Sequence, residues 1–331
     1  MSIASISKKG FQFALITLLS CLLLSCAEKK RGPETKKLTI FHAGSLSVPF
    51  RQIAGAFKAE NPGLDIFLEA AGSRTCARKI SDLKRPCDIM VSSDYTVINT
   101  LLIPDYADWN IKFAGNEMTL VHTEQSKRNE EITGDNWYNI LADKSVHFGR
   151  SDPNADPCGY RAVLTIKLAE THYKKDGLCE TLLKKDNEYI RPKETDLLAL
   201  LESHIIDYIF LYKSVAQQHG LKFLLLPDEI NLKKPELTDF YKTASVEISG
   251  KEPGTTVTKT GAPMVYGITI PINAPNPELA IKFVAYILDS SKGMAIMEKN
   301  GQSSMVPSPS DTYDKIPDAL KKYATPVTTK S

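Results

Sequence analysis

Four short segments of this chain place hydroxyl or carboxyl groups directly before predicted helices. Two of them are the pairs Gly44-Ser45 and Gly72-Ser73, each at the end of a predicted strand. Glycine lets the backbone approach a ligand closely, and the first N–H groups of a helix have no partner within that helix. Together with the helix dipole and a serine hydroxyl, such a turn can bind a small anion. Serine is also an ordinary N-cap, so either pair alone can serve only that purpose.

The other two segments place an acid before a helix, and a tyrosine adds a fifth candidate. Asp156 precedes a proline, a residue favoured at the first helical position, so Asp156 stands near the N-cap. Glu194 lies in the charged run Arg191–Asp196, and Tyr212 follows a strand predicted over Tyr208–Leu211. The Tyr212 hydroxyl can donate to an oxyanion. Alternatively, Asp156 only caps its helix, Glu194 belongs to a solvated charge run and Tyr212 is a half-buried aromatic.

These segments need a framework, and the hydrophobic pattern predicts alternating strands and helices. Predicted strands lie at Lys37–Phe41, Leu64–Ala70, Cys87–Val91, Met118–His122, Val146–Gly149, Tyr208–Leu211 and Val265–Ile272. Predicted helices lie at Pro49–Glu60, Arg74–Leu83, after Pro157, at Leu197–Leu201 and at Leu279–Leu288. This alternation predicts an α/β fold with parallel sheets covered by helices. Two Gly-Ser turns at the carboxyl ends of strands favour one shared ligand crevice.

Three motifs together resemble those of the tungstate/molybdate-binding proteins of ABC importers, and more narrowly their archaeal-type branch. They are His42-Ala43-Gly44-Ser45-Leu46, Asp156-Pro157-Cys158-Gly159-Tyr160-Arg161 and Arg191-Pro192-Lys193-Glu194, and the similarity extends from about Lys37 to Val306. The resemblance implies a type II periplasmic-binding-protein fold, in which two α/β lobes enclose a hinged ligand cleft. It implies lobe 1 at residues 37–118 and 265–331 and lobe 2 at residues 119–264.

The same resemblance implies an oxyanion site made by Ser45 and Ser73 from lobe 1 and by Asp156, Glu194 and Tyr212 from lobe 2. Hexavalent tungsten and molybdenum prefer oxygen ligands and can expand from four to six coordination. Asp156 and Glu194 would then bind the metal of the oxyanion directly. Sulfur cannot expand in this way, so two carboxylates would exclude sulfate. If Glu194 points away, the alternative is a four-coordinate oxyanion held by hydrogen bonds and Asp156.

On this interpretation the chain is a receptor that delivers tungstate or molybdate to the permease and ATPase of an ABC importer. It needs no cofactor beyond the ligand itself. Three other functions remain open: a phosphate receptor of the same fold, an enzyme and a structural surface lipoprotein. The sequence has no Gly-x-Ser-x-Gly motif, and we interpret His42 as a packing residue, which disfavours an enzyme. A structural role would leave the five ligand-suited loops unexplained.

The N-terminal residues predict secretion and lipid attachment. Two lysines precede the uncharged stretch Phe11–Ser25, which predicts a signal peptide over residues 1–25. The letters Leu-Leu-Ser-Cys ending at Cys26 look like a lipobox and predict an acylated Cys26, a polar tether over residues 26–36 and a protein anchored outside the cytoplasm, on the periplasmic side in a Gram-negative cell. The same letters also end at Cys21, and an uncleaved anchor helix is the alternative.

The charge balance bears on what the chain can bind. Its 331 residues include 41 Lys and Arg against 39 Asp and Glu, which is too close to neutrality for a typical nucleic-acid-binding protein. Loss of residues 1–25 would remove two lysines and leave equal numbers of acids and bases. An anion must therefore be held by local groups, because no overall positive field attracts it.

Four cysteines lie beyond the predicted tether. An even number favours disulfides in a protein outside the cytoplasm, and four cysteines allow three pairings. The close pairs Cys76–Cys87 and Cys158–Cys179 are the plausible ones, and the pairing stays open at this point. No spacing typical of a zinc site is present.

Overall fold

The computed structural model describes residues 36–327. One half of this part is built on a six-stranded sheet, and we call it the six-stranded half. In spatial order its strands are Ser303–Ser304, Ile111–Gly115, Val265–Thr269, Ile89–Ser92, Lys36–Ala43 and Leu64–Ala71. Its helices are Ser47–Glu60, Ser73–Ser81, Tyr95–Leu101, Pro277–Leu288 and Gly293–Lys299.

Burial of apolar faces explains these elements. The helix Ser47–Glu60 buries Phe50, Ile53, Ala54 and Phe57, which recur every three or four residues. Phe57 packs edge-to-face against Phe283, with 4.8 Å between the ring centroids. All four residues of the strand Ile89–Ser92 are buried, as expected for a strand covered on both faces.

The other half is built on a five-stranded sheet, and we call it the five-stranded half. Its strands, in spatial order, are Ile190–Arg191, Phe148–Ser151, Tyr208–Tyr212, Met118–His122 and Lys222–Leu225. Its helices are Trp137–Ala142, Pro157–Tyr173, Leu178–Lys185, Leu198–Glu202, Lys213–Gln218 and Thr238–Tyr241. The antiparallel hairpin Ser245–Ser249 and Thr256–Thr260 packs on this half through the buried side chain of Ile248.

Shorter elements complete the described chain. A two-stranded parallel sheet joins Ser308–Ser310 to Ala324–Pro326. Short 3-10 helices lie at Gly44–Leu46, Asp186–Tyr189, Glu194–Leu197, Pro235–Leu237, Tyr313–Lys315 and Asp318–Tyr323. Residues 115–118 and 261–265 carry the chain from one sheet to the other.

The prediction of parallel sheets is partly wrong, because both sheets are mixed. Lys36–Ala43 and Ile89–Ser92 are parallel, as are Phe148–Ser151 and Tyr208–Tyr212. Val265–Thr269, however, runs antiparallel to both of its neighbours. The chain enters this strand on its return from the five-stranded half, and no helix that covers the sheet connects it to a neighbouring strand. The alternation of strands and helices therefore does not set its direction.

The disulfide interpretation is wrong. Cys76, Cys87 and Cys158 are free thiols, so neither Cys76–Cys87 nor Cys158–Cys179 is bonded. Cys76 and Cys87 lie in one buried apolar cluster, and burial raises the pKa of each thiol to about 12. These side chains act as small apolar core residues.

Several predictions for the N-terminal region concern residues that the structure does not describe. The signal peptide over residues 1–25, the acylated Cys26 and the tether up to residue 35 lie outside the described residues. Within residues 36–327, no helix combines the length and the apolar character that a membrane crossing requires.

Candidate functional site

Ser45 follows the first strand of the six-stranded half and lies in the 3-10 helix Gly44–Leu46. Its hydroxyl is buried and lies 3.0 Å from the hydroxyl of Tyr266. The Asn116 amide donates to the same Tyr266 hydroxyl at 2.9 Å. Since Tyr266 accepts from Asn116, it can donate its proton to Ser45, which leaves the Ser45 proton for a ligand.

Ser73 is the first residue of the helix Ser73–Ser81 and is fully buried. Its hydroxyl oxygen accepts from the backbone N–H of Ser93 at 3.0 Å and lies 3.2 Å from the Ser93 hydroxyl. It does not cap its own helix, whose N-cap is Gly72. The capping interpretation is therefore wrong for Ser73, and its hydroxyl belongs to a cluster with Ser93.

Asp156 does cap a helix, as the alternative interpretation predicts. One carboxylate oxygen accepts from the backbone N–H of Cys158 at 3.2 Å, beside Pro157 in the first turn. The other oxygen accepts from the backbone N–H of Glu194 at 3.0 Å. Asp156 thus caps the helix and fixes the loop that carries the second predicted acid.

Glu194 is completely buried and does not belong to a solvated charge run, so that interpretation is wrong. Neither of its carboxylate oxygens has a hydrogen-bond donor within the part of the chain that the structure describes. The carboxyl group lies against Gly44 of the six-stranded half, so closely that a Cβ placed on Gly44 would be 2.8 Å from one oxygen. Glu194 therefore spans the boundary between the two halves.

Burial makes ionisation costly for both acids, and the charge of Asp156 adds to that cost at Glu194. Burial, followed by the neighbouring charge of Asp156, raises the pKa of Glu194 well above its ordinary value. Burial also raises the pKa of Asp156. Two buried carboxyl groups with this little compensation are costly unless a proton or a positive centre lies between them.

Tyr212 is the last residue of the strand Tyr208–Tyr212 and is fully buried, so the half-buried interpretation is wrong. Its hydroxyl accepts from the Arg161 guanidinium at 2.9 Å and donates to the Ser93 hydroxyl at 3.4 Å. Because Arg161 occupies an acceptor position, the Tyr212 proton is directed elsewhere. The proton therefore points to the Ser93 hydroxyl.

The five predicted site residues are brought together at the boundary between the halves. Gly44-Ser45 lies against Glu194, and the backbone of Glu194 is bonded to Asp156. Gly72, next to Ser73, lies against Ala155-Asp156, and a Cβ there would be 2.3 Å from the Ala155 carbonyl oxygen. Through Ser93 the cluster continues to Tyr212.

Sequence reasoning missed four polar residues of this cluster: Ser93, Arg161, Asn116 and Tyr266. Ser93 had a usable signal, because Ser92-Ser93-Asp94 follows a strand and precedes a helix in the same way as the two Gly-Ser pairs. Arg161 was noted only as part of a motif. Its carbonyl partner Ser93 lies 68 residues away in the chain, at 2.8 Å in space.

His42 is a packing residue, as the sequence predicts. Its ring stacks on Phe50 with 5.7 Å between centroids, and its Nδ1 lies 2.8 Å from the Ala43 carbonyl oxygen. Burial lowers its pKa to about 4, so the ring is neutral at pH 7. Among the described residues, no group of three or more His, Cys, Asp and Glu side chains is arranged to hold a metal ion. Two carboxylates can bind a metal centre here only if the other ligands arrive with it.

Comparison with known proteins shows which proteins the chain is similar to. Residues 38–302 match the model of the bacterial extracellular solute-binding proteins. The chain is 51% identical to an uncharacterized solute-binding protein of Petrotoga mobilis, over 87% of this chain and 90% of that protein. It is 43% identical to the molybdate/tungstate-binding protein WtpA of Pyrococcus abyssi, over 94% of this chain and 97% of that protein.

The fold is shared with a more distant solved structure, the periplasmic molybdate-binding protein of Azotobacter vinelandii. The TM-score is 0.59 at 16% identity, over 82% of this chain and 99% of that one. This confirms the predicted type II periplasmic-binding-protein fold, built here on two mixed sheets covered by helices.

Proposed function

The chain belongs to the family of bacterial extracellular solute-binding proteins, and on this premise we propose that it captures tungstate or molybdate between its two lobes and delivers the oxyanion to an ABC importer. It is a solute receptor that acts outside the cytoplasm, and it is not an enzyme. Relatives that are named molybdate/tungstate-binding proteins support the choice of ligand.

The observation that carries the proposal is the pair Asp156 and Glu194. Both are buried, and the oxygens of Glu194 have no donor in the described chain. A sulfate ion has no proton to donate and would be repelled by both carboxylates, whereas a monohydrogen phosphate could donate to one of them and would leave the other without a role. A tungsten or molybdenum centre can instead accept a carboxylate oxygen from each acid and reach six coordination. Attraction to the metal then offsets repulsion between the acids and the oxyanion.

The hydroxyl groups around the acids would hold the oxyanion oxygens. Ser45 and Ser73 come from one side of the cleft and Tyr212 from the other. Tyr266 bonds to the Ser45 hydroxyl and leaves its proton for the ligand. Arg161 occupies an acceptor position of the Tyr212 hydroxyl, whose proton would turn to the ligand from its bond to Ser93. Hydrogen bonds to a charged ligand are worth roughly 1.5–3 kcal/mol each.

We propose that lobe 1 comprises residues 37–118 and 265–331 and that lobe 2 comprises residues 119–264. Separate apolar clusters support this division. One cluster joins residues between Met118 and Met264. The largest cluster of the other sheet joins residues from Leu38 to Ala114 with residues from Tyr266 to Ala324. The ligand-free lobes would exchange between open and closed arrangements, and ligand binding would shift them to the closed form, which the permease would recognise.

Calorimetric titration of the purified protein with tungstate, molybdate, sulfate and phosphate tests the ligand. We expect tight binding of the first two anions and none of the last two. Binding of phosphate alone would retain a receptor of this fold but overturn the role given to the two acids. No binding of any of the four would overturn the proposed ligand class.

We propose further that Cys26 is acylated and tethers the receptor to the membrane, on the strength of the Leu-Leu-Ser-Cys motif. Mass spectrometry of the protein expressed in a bacterial host is expected to find an N-terminal lipid-modified Cys26. A Cys26→Ser variant should lose the modification and leave the membrane fraction. An unmodified Cys26 in the membrane-bound protein would contradict the proposal.

A further inference from the structure

Asp94 is a buried acid outside the proposed ligand site, and its two carboxylate oxygens face different halves of the molecule. Oδ1 accepts from the backbone N–H of Thr96 at 2.9 Å and from its hydroxyl at 2.8 Å, both within the six-stranded half. Oδ2 accepts from the Tyr160 hydroxyl at 2.5 Å and from the Lys259 ammonium group at 2.6 Å. Both of these donors belong to the five-stranded half.

Arg161 adds a third partner from the five-stranded half. One of its guanidinium nitrogens lies 3.8 Å from Asp94 Oδ2, and another donates to the Ser93 carbonyl at 2.8 Å. Asp94, Tyr160 and Arg161 are each at most 4% exposed, and the Lys259 side chain is 20% exposed. The carboxylate therefore meets two cations and a hydroxyl away from water.

The charge of Asp94 is compensated only when the two halves are together. Burial alone would raise the pKa of Asp94, but the charges of Lys259 and Arg161 outweigh burial and hold that pKa below its ordinary value. A buried ion cluster stabilises a structure when its remaining donors and acceptors are also satisfied. Here Arg161 also donates to the Ser93 carbonyl and to the Tyr212 hydroxyl. Asp94 also accepts from the backbone N–H and the hydroxyl of Thr96.

We infer that Asp94 is a positioning residue that holds the lobes closed, through Tyr160, Arg161 and Lys259, without touching the ligand. The inference rests on the proposed function in one respect, that closure completes an oxyanion site. Through Arg161, the same cluster orients Tyr212, one of the proposed donors. Asp94 therefore links closure of the lobes to the geometry of the site.

Other contacts between the halves flank this cluster. The Arg74 side chain donates to the Asn154 carbonyl at 2.9 Å, and the Arg78 side chain donates to the Gly250 carbonyl at 2.5 Å. These use uncharged backbone acceptors. The Asp94 cluster differs because its central group is a buried charge that has no other cationic partner among the ion pairs of the described chain.

The test compares Asp94→Asn with Asp88→Asn in the purified protein. Asparagine is as good an N-cap as aspartate, so the helix that begins after residue 94 keeps its cap while the charge is lost. Asp88 is equally buried, but it accepts from Thr39 and Asn276 within one half. Small-angle scattering of the ligand-free protein and stopped-flow dissociation of tungstate are the two measurements.

We expect Asp94→Asn to increase the radius of gyration of the ligand-free protein and to speed tungstate dissociation about 10- to 100-fold, with little change in association. Asp88→Asn should lower the thermal stability and leave both measurements as in the wild type. If Asp94→Asn fails to fold, Tyr160→Phe removes one cross-half hydrogen bond at nearly constant volume and should give a smaller change in the same direction.

The outcomes separate this inference from the proposed function. An Asp94→Asn protein, or a Tyr160→Phe protein in its place, with wild-type scattering and wild-type dissociation would overturn the inference while the receptor still binds tungstate. If the wild-type protein binds no tungstate but Asp94→Asn still increases the radius of gyration, the proposed ligand is overturned and the role of Asp94 in closure is supported. A decrease in association that matches the increase in dissociation would indicate local damage to the site and also count against it.

Discussion

The Glu194→Gln variant is expected to bind tungstate at least about 100-fold more weakly than the wild type, while its ligand-free form becomes more stable at pH 7. Removal of even an outer partner of a metal ligand costs about 10- to 100-fold in affinity, so loss of a direct ligand should cost no less. The gain in stability follows because the Glu194 carboxyl is buried beside Asp156 without a donor. An amide carries no charge and can donate to Asp156.

The gain in stability of Glu194→Gln should depend on pH. The pKa of Glu194 in the folded protein lies above its unfolded value, because of burial and the charge of Asp156. Between these two values the folded state binds more protons than the unfolded state, so the free energy of unfolding decreases as the pH rises. Glu194→Gln should remove this part of the decrease. Urea unfolding at several pH values, without ligand, measures it.

The matched control is Glu117→Gln. Glu117 is also a buried acid, but Lys213 and Lys233 lie 2.8 Å and 3.2 Å from its carboxylate. Loss of this charge should therefore destabilise the protein at pH 7, opposite in sign to the effect at Glu194. Wild-type affinity for tungstate in Glu194→Gln would rule out a direct bond between Glu194 and the metal.

Gly72→Ala is expected to abolish measurable tungstate binding and to leave the ligand-free fold intact. The backbone of Gly72 has φ −55° and ψ 140°, which any residue can adopt, so alanine brings no strain of its own. Its Cβ, however, would lie 2.3 Å from the Ala155 carbonyl oxygen in the other half. Because that atom is backbone, the lobes can relieve the overlap only by separating.

Calorimetric titration with tungstate and thermal unfolding check this expectation together. Gly55→Ala is the control, since Gly55 lies in the helix Ser47–Glu60 and a Cβ there meets nothing within 4 Å. It should keep wild-type affinity and gain roughly 0.5–1 kcal/mol of stability from the helix preference of alanine. Wild-type affinity in Gly72→Ala would mean that ligand binding does not require the observed approach of the two halves.

The sequence was sufficient to predict the elements that present the site. Each Gly-Ser pair follows a strand, and Asp156 stands at the start of its helix, because strand ends and helix starts have local signals in glycine, serine and proline. Tyr212 and Glu194 were also found, although the sequence alone would have left them as ordinary aromatic and charged residues. The family resemblance supplied their proposed role as groups that bind the oxyanion.

Contacts between distant segments could not be predicted in this way. The direction of Val265–Thr269 depends on where the chain re-enters its sheet, which no local pattern encodes. Asp94 and Tyr160 are 66 residues apart in the chain, and each reads locally as an ordinary helix residue or cap. The thiols illustrate the same limit, because the number of cysteines does not tell whether their side chains meet or simply fill a core.

The position of Val265–Thr269 also sets the order in which the molecule can assemble. This strand lies inside its sheet, between Ile111–Gly115 and Ile89–Ser92, and so bonds two strands that precede it by about 150 and about 175 residues. All five strands of the other sheet come from one uninterrupted stretch between Met118 and Leu225. During synthesis from the N-terminus, the five-stranded sheet therefore has all its strands before the six-stranded sheet can close. A chain interrupted before Val265 would leave one edge of Ile89–Ser92 and both edges of Ile111–Gly115 unpaired, a surface suited to recognition by a chaperone.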